Sequence, residues 1–159
     1  MSERVEFRAL GVRVEVVVED AAMAQVLRVC YGALGAPAGE DPRATVHAAL
    51  WRIGDTYTAE VEGREIATAT DEIAAVRALN HELLQALMLR RLDLLYVHAG
   101  VVAFGDAAVV LPGTSGAGKS TLVVALLRAG ASFLSDELLV YDASRELALS
   151  YWRAPKVRD

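Results

Sequence analysis

The residues best suited to chemistry sit together in Gly113-Thr114-Ser115-Gly116-Ala117-Gly118-Lys119-Ser120-Thr121. From Gly113 to Ser120 the order satisfies the pattern G-x-x-x-x-G-K-[ST] at every position. Glycines there admit backbone conformations closed to other residues, so successive N–H groups can turn inward as a nest for an anion. A helix beginning at Lys119 would add the positive end of its dipole. On this reading Lys119 reaches the β- and γ-phosphates of a nucleotide, and Ser120 offers its hydroxyl to Mg2+. The expected ligand is a polyphosphate nucleotide with Mg2+, held by Gly113, Thr114, Ser115, Gly116, Ala117, Gly118, Lys119, Ser120 and Thr121. The motif leaves the base open, and a kinase, an ATPase and a binding-only module all remain compatible with it.

A second acidic element, Asp136-Glu137, follows the short apolar piece Ser132-Phe133-Leu134. Such a pair can hold a metal's water shell, or one carboxylate can take the proton of an attacking hydroxyl. Spacing alone equally allows a solvated strand end or a helix cap.

These residues need elements to hold them. Val5 to Asp20 reads as two strand-like runs around Gly11, with Val12, Val14 and Val16 alternating against Arg13 and Glu15. Asp20 is placed to cap a helix reaching Leu34, with Met23, Val26, Leu27, Cys30, Tyr31 and Leu34 on its apolar face. The stretch GAPAGEDPR then breaks it. Runs TVHAALWRI and TYTAEVEGREIATA extend a small sheet, turning at Glu62 and Gly63. A long helix is expected from a capping Thr70, with Asp71 and Glu72 in its first turn. Its apolar face comprises Ile73, Val76, Leu79, Leu83, Ala86 and Leu87, and Arg90 and Arg91 end it.

The following run, DLLYVHAGVVAFGDAAVVLPG, predicts two apolar strands turned at Gly105 and Asp106, the second leading into the glycine-rich stretch. A helix over Lys119 to Arg128 should stop at Gly130, and SFLSDELLVYD supplies further strand around the acidic pair. The expected division is a small α+β unit over 1–92 and a nucleotide-binding portion over 93–159.

From Tyr96 to Asp142 the chain resembles the catalytic domain of HPr kinase/phosphorylase and its relatives. The resemblance rests on His98 and Gly100, on Gly113 to Ser120, on Arg128 to Gly130, and on Asp136-Glu137. It implies an α/β fold with a P-loop core of the HPr kinase/PEP carboxykinase type, incomplete here and preceded by the α+β unit. It also implies a Mg-ATP-dependent transfer of phosphate to a hydroxyl, serine foremost, of a protein or peptide. In that scheme Lys119, Asp136 and His98 are catalytic, Asp136 being the general base, and Ser120 and Glu137 face the metal. Glu137 stands where those proteins usually carry a second aspartate, and Ala99 separates His98 from Gly100.

The family supplies a further glutamate and arginine well beyond the acidic pair, and YWRAPKVRD resembles the stretch that precedes the rest of its sheet. The expectation is therefore a sheet completed by further strands, by a second chain or by homo-oligomerisation, with association of the isolated chain. A nucleotide-binding regulatory or scaffold module that lacks turnover is the alternative. An ABC-type ATPase lacks its LSGGQ-like signature, and a small-molecule kinase lacks an evident arginine lid cluster.

Composition narrows the partners. The chain has 159 residues, 54% of them hydrophobic, and a formal charge of -5. It therefore offers no basic field for nucleic acid or anionic lipid. A single cysteine, Cys30, excludes an internal disulfide, and no apolar run approaches the length of a membrane span. A cytoplasmic setting is expected, with no membrane partner. Trp51 and Tyr57 read as sheet packing, while His47 and His81 lack metal-like spacing.

Overall fold

The computed structural model describes residues 2–19, 21–31, 44–114, 116–149 and 151. Asp20, Leu34, the GAPAGEDPR break, Ser115 and the chain after Tyr151 lie outside the described residues. The fold is mixed α/β, with sheets predominating, and it divides into two compact units, Met1–Arg91 and Leu92–Asp159.

In the first unit, β1 (Glu3–Ala9) and β2 (Val12–Val18) form an antiparallel hairpin turned at Leu10-Gly11. Helix α1 (Ala21–Tyr31) then carries the chain to β3 (Thr45–Ile53), which lies parallel to β2. Strands β4 (Thr56–Val61) and β5 (Arg64–Ala69) complete a five-stranded sheet in simple order, and α2 (Glu72–Arg90) follows. Alternation decides the layers. Val12, Val14, Val16 and Val18 point to one face and are buried, together with Val46 and Leu50 of β3. Leu27 of α1 and Leu79, Leu83 and Leu87 of α2 are buried too, and Phe7 stacks on Tyr31 with ring centroids 4.2 Å apart.

Two helix faces differ from the sequence reading. Val26 and Ile73 are exposed, and their burial falls instead to Ala24 and Ala75. The residues that α2 buries (Ala75, Val76, Leu79, Leu83, Ala86, Leu87) centre roughly a quarter-turn away from Ile73, so that side chain leaves the stripe. The cap also moves by one position. Asp71, not Thr70, caps α2, its carboxylate accepting the Ala74 N–H at 2.8 Å. At the other end Arg91 is buried and donates to the Leu10 carbonyl in the β1–β2 turn, tying the helix end to the hairpin.

The second unit holds two three-stranded antiparallel sheets. One contains β6 (Leu95–Val97), β10 (Leu139–Asp142) and β11 (Leu147–Leu149), with β10 in the middle. The other contains β7 (Ala99–Phe104), β8 (Ala107–Pro112) and β9 (Ser132–Ser135), with β7 in the middle. Helix α3 (Lys119–Arg128) joins β8 to β9. Where the sequence suggested one strand from Asp93 to Phe104, the chain changes sheet at His98. The turn at Gly105-Asp106 falls where it was expected. No helix among the described residues is long and apolar enough to cross a membrane.

Candidate functional site

Strand β7 organises this region. Both β8 and β9 run antiparallel to it, so they run parallel to each other with β7 between them. Unit β8–α3–β9 is thus a strand–helix–strand crossover around a central antiparallel strand. Register fixes which ends coincide. Ala99 pairs with Pro112, Val101 pairs with both Val110 and Ser135, and the Ala99 N–H donates to the Glu137 carbonyl at 3.2 Å. The carboxyl ends of β8 and β9 therefore emerge on either side of the first residue of β7, about 10 Å apart at ordinary strand spacing.

Three of the groups singled out in the sequence converge there. The loop Gly113–Gly118 leaves the end of β8, Asp136-Glu137 leaves the end of β9, and His98 immediately precedes β7. Carboxyl ends of strands beside a crossover are where open α/β sheets take their ligands.

The loop's shape follows from its glycines, for two different reasons. Gly116 and Gly118 both have φ 84°, in the left-handed region that side chains avoid, although a Cβ at either would meet open space. At Gly113 the limit is room, because a Cβ would lie 3.3 Å from the Ala117 Cβ. Thr114 closes the loop, its carbonyl accepting the Ala117 N–H at 3.2 Å. Gly118 is the N-cap of α3 and supplies no side-chain cap. The contrast with α2, which a carboxylate caps, is chemical. The first amides of α3 and its dipole are left to an acceptor from outside the helix.

Lys119 lies across this opening. Its ammonium donates to the Gly113 carbonyl at 2.6 Å and to the Thr114 carbonyl at 2.9 Å, which leaves one of its three protons for another acceptor. Ser120 and Thr121 are exposed on the first turn of α3, while Ser115 lies outside the described residues. Open helix amides, an ammonium and hydroxyls in one place suit an anion with several oxygens.

The acidic turn is held by a residue that the sequence reading passed over. Ser135 is buried, and its hydroxyl oxygen accepts the N–H of Glu137 at 3.3 Å and of Leu138 at 3.0 Å. Serine directly before an acidic pair is a turn signal of this kind. Asp136 and Glu137 are half-buried, and Asp136 has no ion-pair partner among the described residues. His98 is exposed.

Gly100 was noted only for its place in the sequence, and the structure gives its physical reason. A Cβ there would stand 2.8 Å from Cγ2 of Val123, the buried residue of α3. The helix behind the loop is thereby seated directly on β7. Among the described residues no three His, Cys, Asp or Glu side chains gather as a metal cluster. No family model, curated protein or solved structure matches the chain.

Proposed function

We propose that the second unit is a P-loop core of the HPr kinase/PEP carboxykinase type, and that it transfers the γ-phosphoryl group of ATP to a hydroxyl, serine foremost, of a protein or peptide. What supports this reading most is the convergence of the Gly113–Gly118 loop, Asp136-Glu137 and His98 at one end of the β8–β7–β9 sheet. The loop amides and Lys119 hold the phosphates and neutralise their charge, which is most of what phosphoryl transfer asks of a protein. Asp136 accepts the proton of the acceptor hydroxyl as its oxygen bonds to the γ-phosphorus and the bond to the β-phosphate oxygen breaks. His98 stands near the transferring group.

Magnesium fits the donors present. Ser120 offers a hydroxyl and Glu137 a carboxylate, both hard oxygens, and Mg2+ takes its remaining ligands from phosphate and water rather than from a cage of side chains. When bound it would neutralise charge on the phosphates. A cytoplasmic setting, in which Cys30 stays reduced, suits this chemistry.

The test is transfer of labelled γ-phosphate from Mg-ATP to serine-containing proteins and peptides. Lys119→Ala and Asp136→Asn should each lower transfer by about 100-fold or more. Transfer undiminished in both variants would remove this site from the reaction.

A further inference from the structure

The outer edge of β8 differs from every other strand edge in the described fold. In the first unit, edge strand β1 carries Glu3, Arg4, Glu6 and Arg8, and edge strand β5 carries Arg64 and Glu65. Edges β6 and β11 are three residues each, and β9 is four. Charge and shortness are the usual ways of keeping an edge from pairing. Strand β8, Ala107-Ala108-Val109-Val110-Leu111-Pro112, is six residues long and uncharged. Its Val109 and Val110, which point to opposite faces, are 36% and 37% exposed. Among the described residues, both faces of the strand are therefore open as well as its edge.

Backbone parity says which groups that edge presents. Ala99 donates to Glu137, so the odd residues of β7 address β9 and its even residues address β8. Gly100, Val102 and Phe104 thus engage Leu111, Val109 and Ala107, and Ala108 and Val110 direct their N–H and C=O groups outward. Pro112 has no N–H to offer and sits where none is needed by the ladder.

We infer that β8 pairs antiparallel with β8 of a second copy of this chain, about a two-fold axis at Val109. In this register Ala108 exchanges hydrogen bonds with the partner's Val110 on either side of the axis, and Val109 faces its own counterpart in a non-hydrogen-bonded pair. The seam brings no like charges together, although each chain carries -5. A strand without charges meets itself with no charge to oppose or to desolvate. The result is a continuous six-stranded sheet, β9–β7–β8 followed by its symmetry mate. Both copies of α3 lie on the same face of it, with their exposed Leu122 and Val124 in one layer. Asp106 comes opposite the partner's Pro112, one residue before the partner's loop begins.

Sedimentation of the full chain, with disulfide trapping in a Cys30→Ser background, tests the register as well as the association. The expected result is a dimer in which Val109→Cys oxidises to a covalent pair. Facing residues of a non-hydrogen-bonded pair lie about 4.5 Å apart at Cα, within disulfide reach. Val110→Cys, facing Ala108, should give no such bond. Val109→Lys, on an exposed position, should keep the thermal melt of the fold and weaken the dimer by at least about tenfold. A monomer at all concentrations would overturn the inference, as would a dimer that Val109→Cys fails to trap. A monomer whose Ala108 and Val110 amides resist hydrogen exchange would overturn it too, by showing that another segment covers the edge.

Discussion

Asp142 shows how much one carboxylate can hold at the end of a strand. It is buried, and one of its oxygens accepts the Ser144 hydroxyl at 2.6 Å, the Ser144 N–H at 3.0 Å and the Arg145 N–H at 3.2 Å, shaping the turn between β10 and β11. The Ser144 hydroxyl bond, the largest influence, holds the acid below the ordinary aspartate range, and the backbone bonds and Arg145 act in the same sense against a burial penalty. A depressed carboxylate stabilises the fold above its unfolded-state pKa, and that contribution disappears as pH falls through the lower folded value. Asp142→Asn, which keeps an acceptor and removes the charge, should thus be less stable than the parent at neutral pH. The gap should close on acidification, and a gap unchanged down to about pH 2 in denaturant titrations would contradict this assignment.

At the scale of elements, the seating of α3 on β7 sets where the loop opens. Gly100→Ala puts a methyl 2.8 Å from a branched, stiff valine, so the helix must shift. The expected loss is about 1–3 kcal/mol in equilibrium unfolding. Combining it with Val123→Ala should recover at least about 0.5 kcal/mol relative to the sum of the single losses. Strict additivity would mean the two residues do not meet.

Much of this level was legible in the sequence. The turns at Gly11, Gly63 and Gly105, the start of α3 at Lys119 and its stop near Gly130 all carry local signals, and the structure has them there. Other features had no such signal. The apolar run through His98 contains no glycine or proline at the point where the chain changes sheet, because the two sheets differ only in their partners. Thr70 and Asp71 are both good caps by type, and only the hydrogen bond to Ala74 distinguishes them. Strand β11 is three residues long, too short to set up a period. At the candidate site the loop and the acidic pair could be read directly and Ser135 carries a local turn signal that the reading passed over, whereas the steric role of Gly100 depends on Val123, a tertiary neighbour.

Across the whole molecule, apolar burial is uneven. The first unit has a continuous core of valines and leucines under its sheet. In the second, Leu94, Val101, Val102, Val123 and Val140 are buried while Leu92, Leu95, Val97, Phe104, Val109, Val110, Leu122, Val124 and Leu147 are exposed. The first unit exposes Val17, Val26, Val29, Ile53, Ile73 and Leu89 around that larger core, whereas in the second the exposed large apolar residues outnumber the buried ones. The same unit carries the loop, so the part of the chain proposed to do chemistry is also the part that leaves more of its large apolar side chains exposed.

The central claim is that the amides from Gly113 to Ser120, with Lys119, wrap a polyphosphate. Isothermal calorimetry of the full chain with Mg-ATP measures this most directly, with Lys119→Ala and Gly118→Ala beside it. The predicted result is saturable heat for the parent, with affinity lower by at least about tenfold, or 1.4 kcal/mol, in each variant. Absence of heat in folded parent protein, or equal affinity in all three, would contradict it.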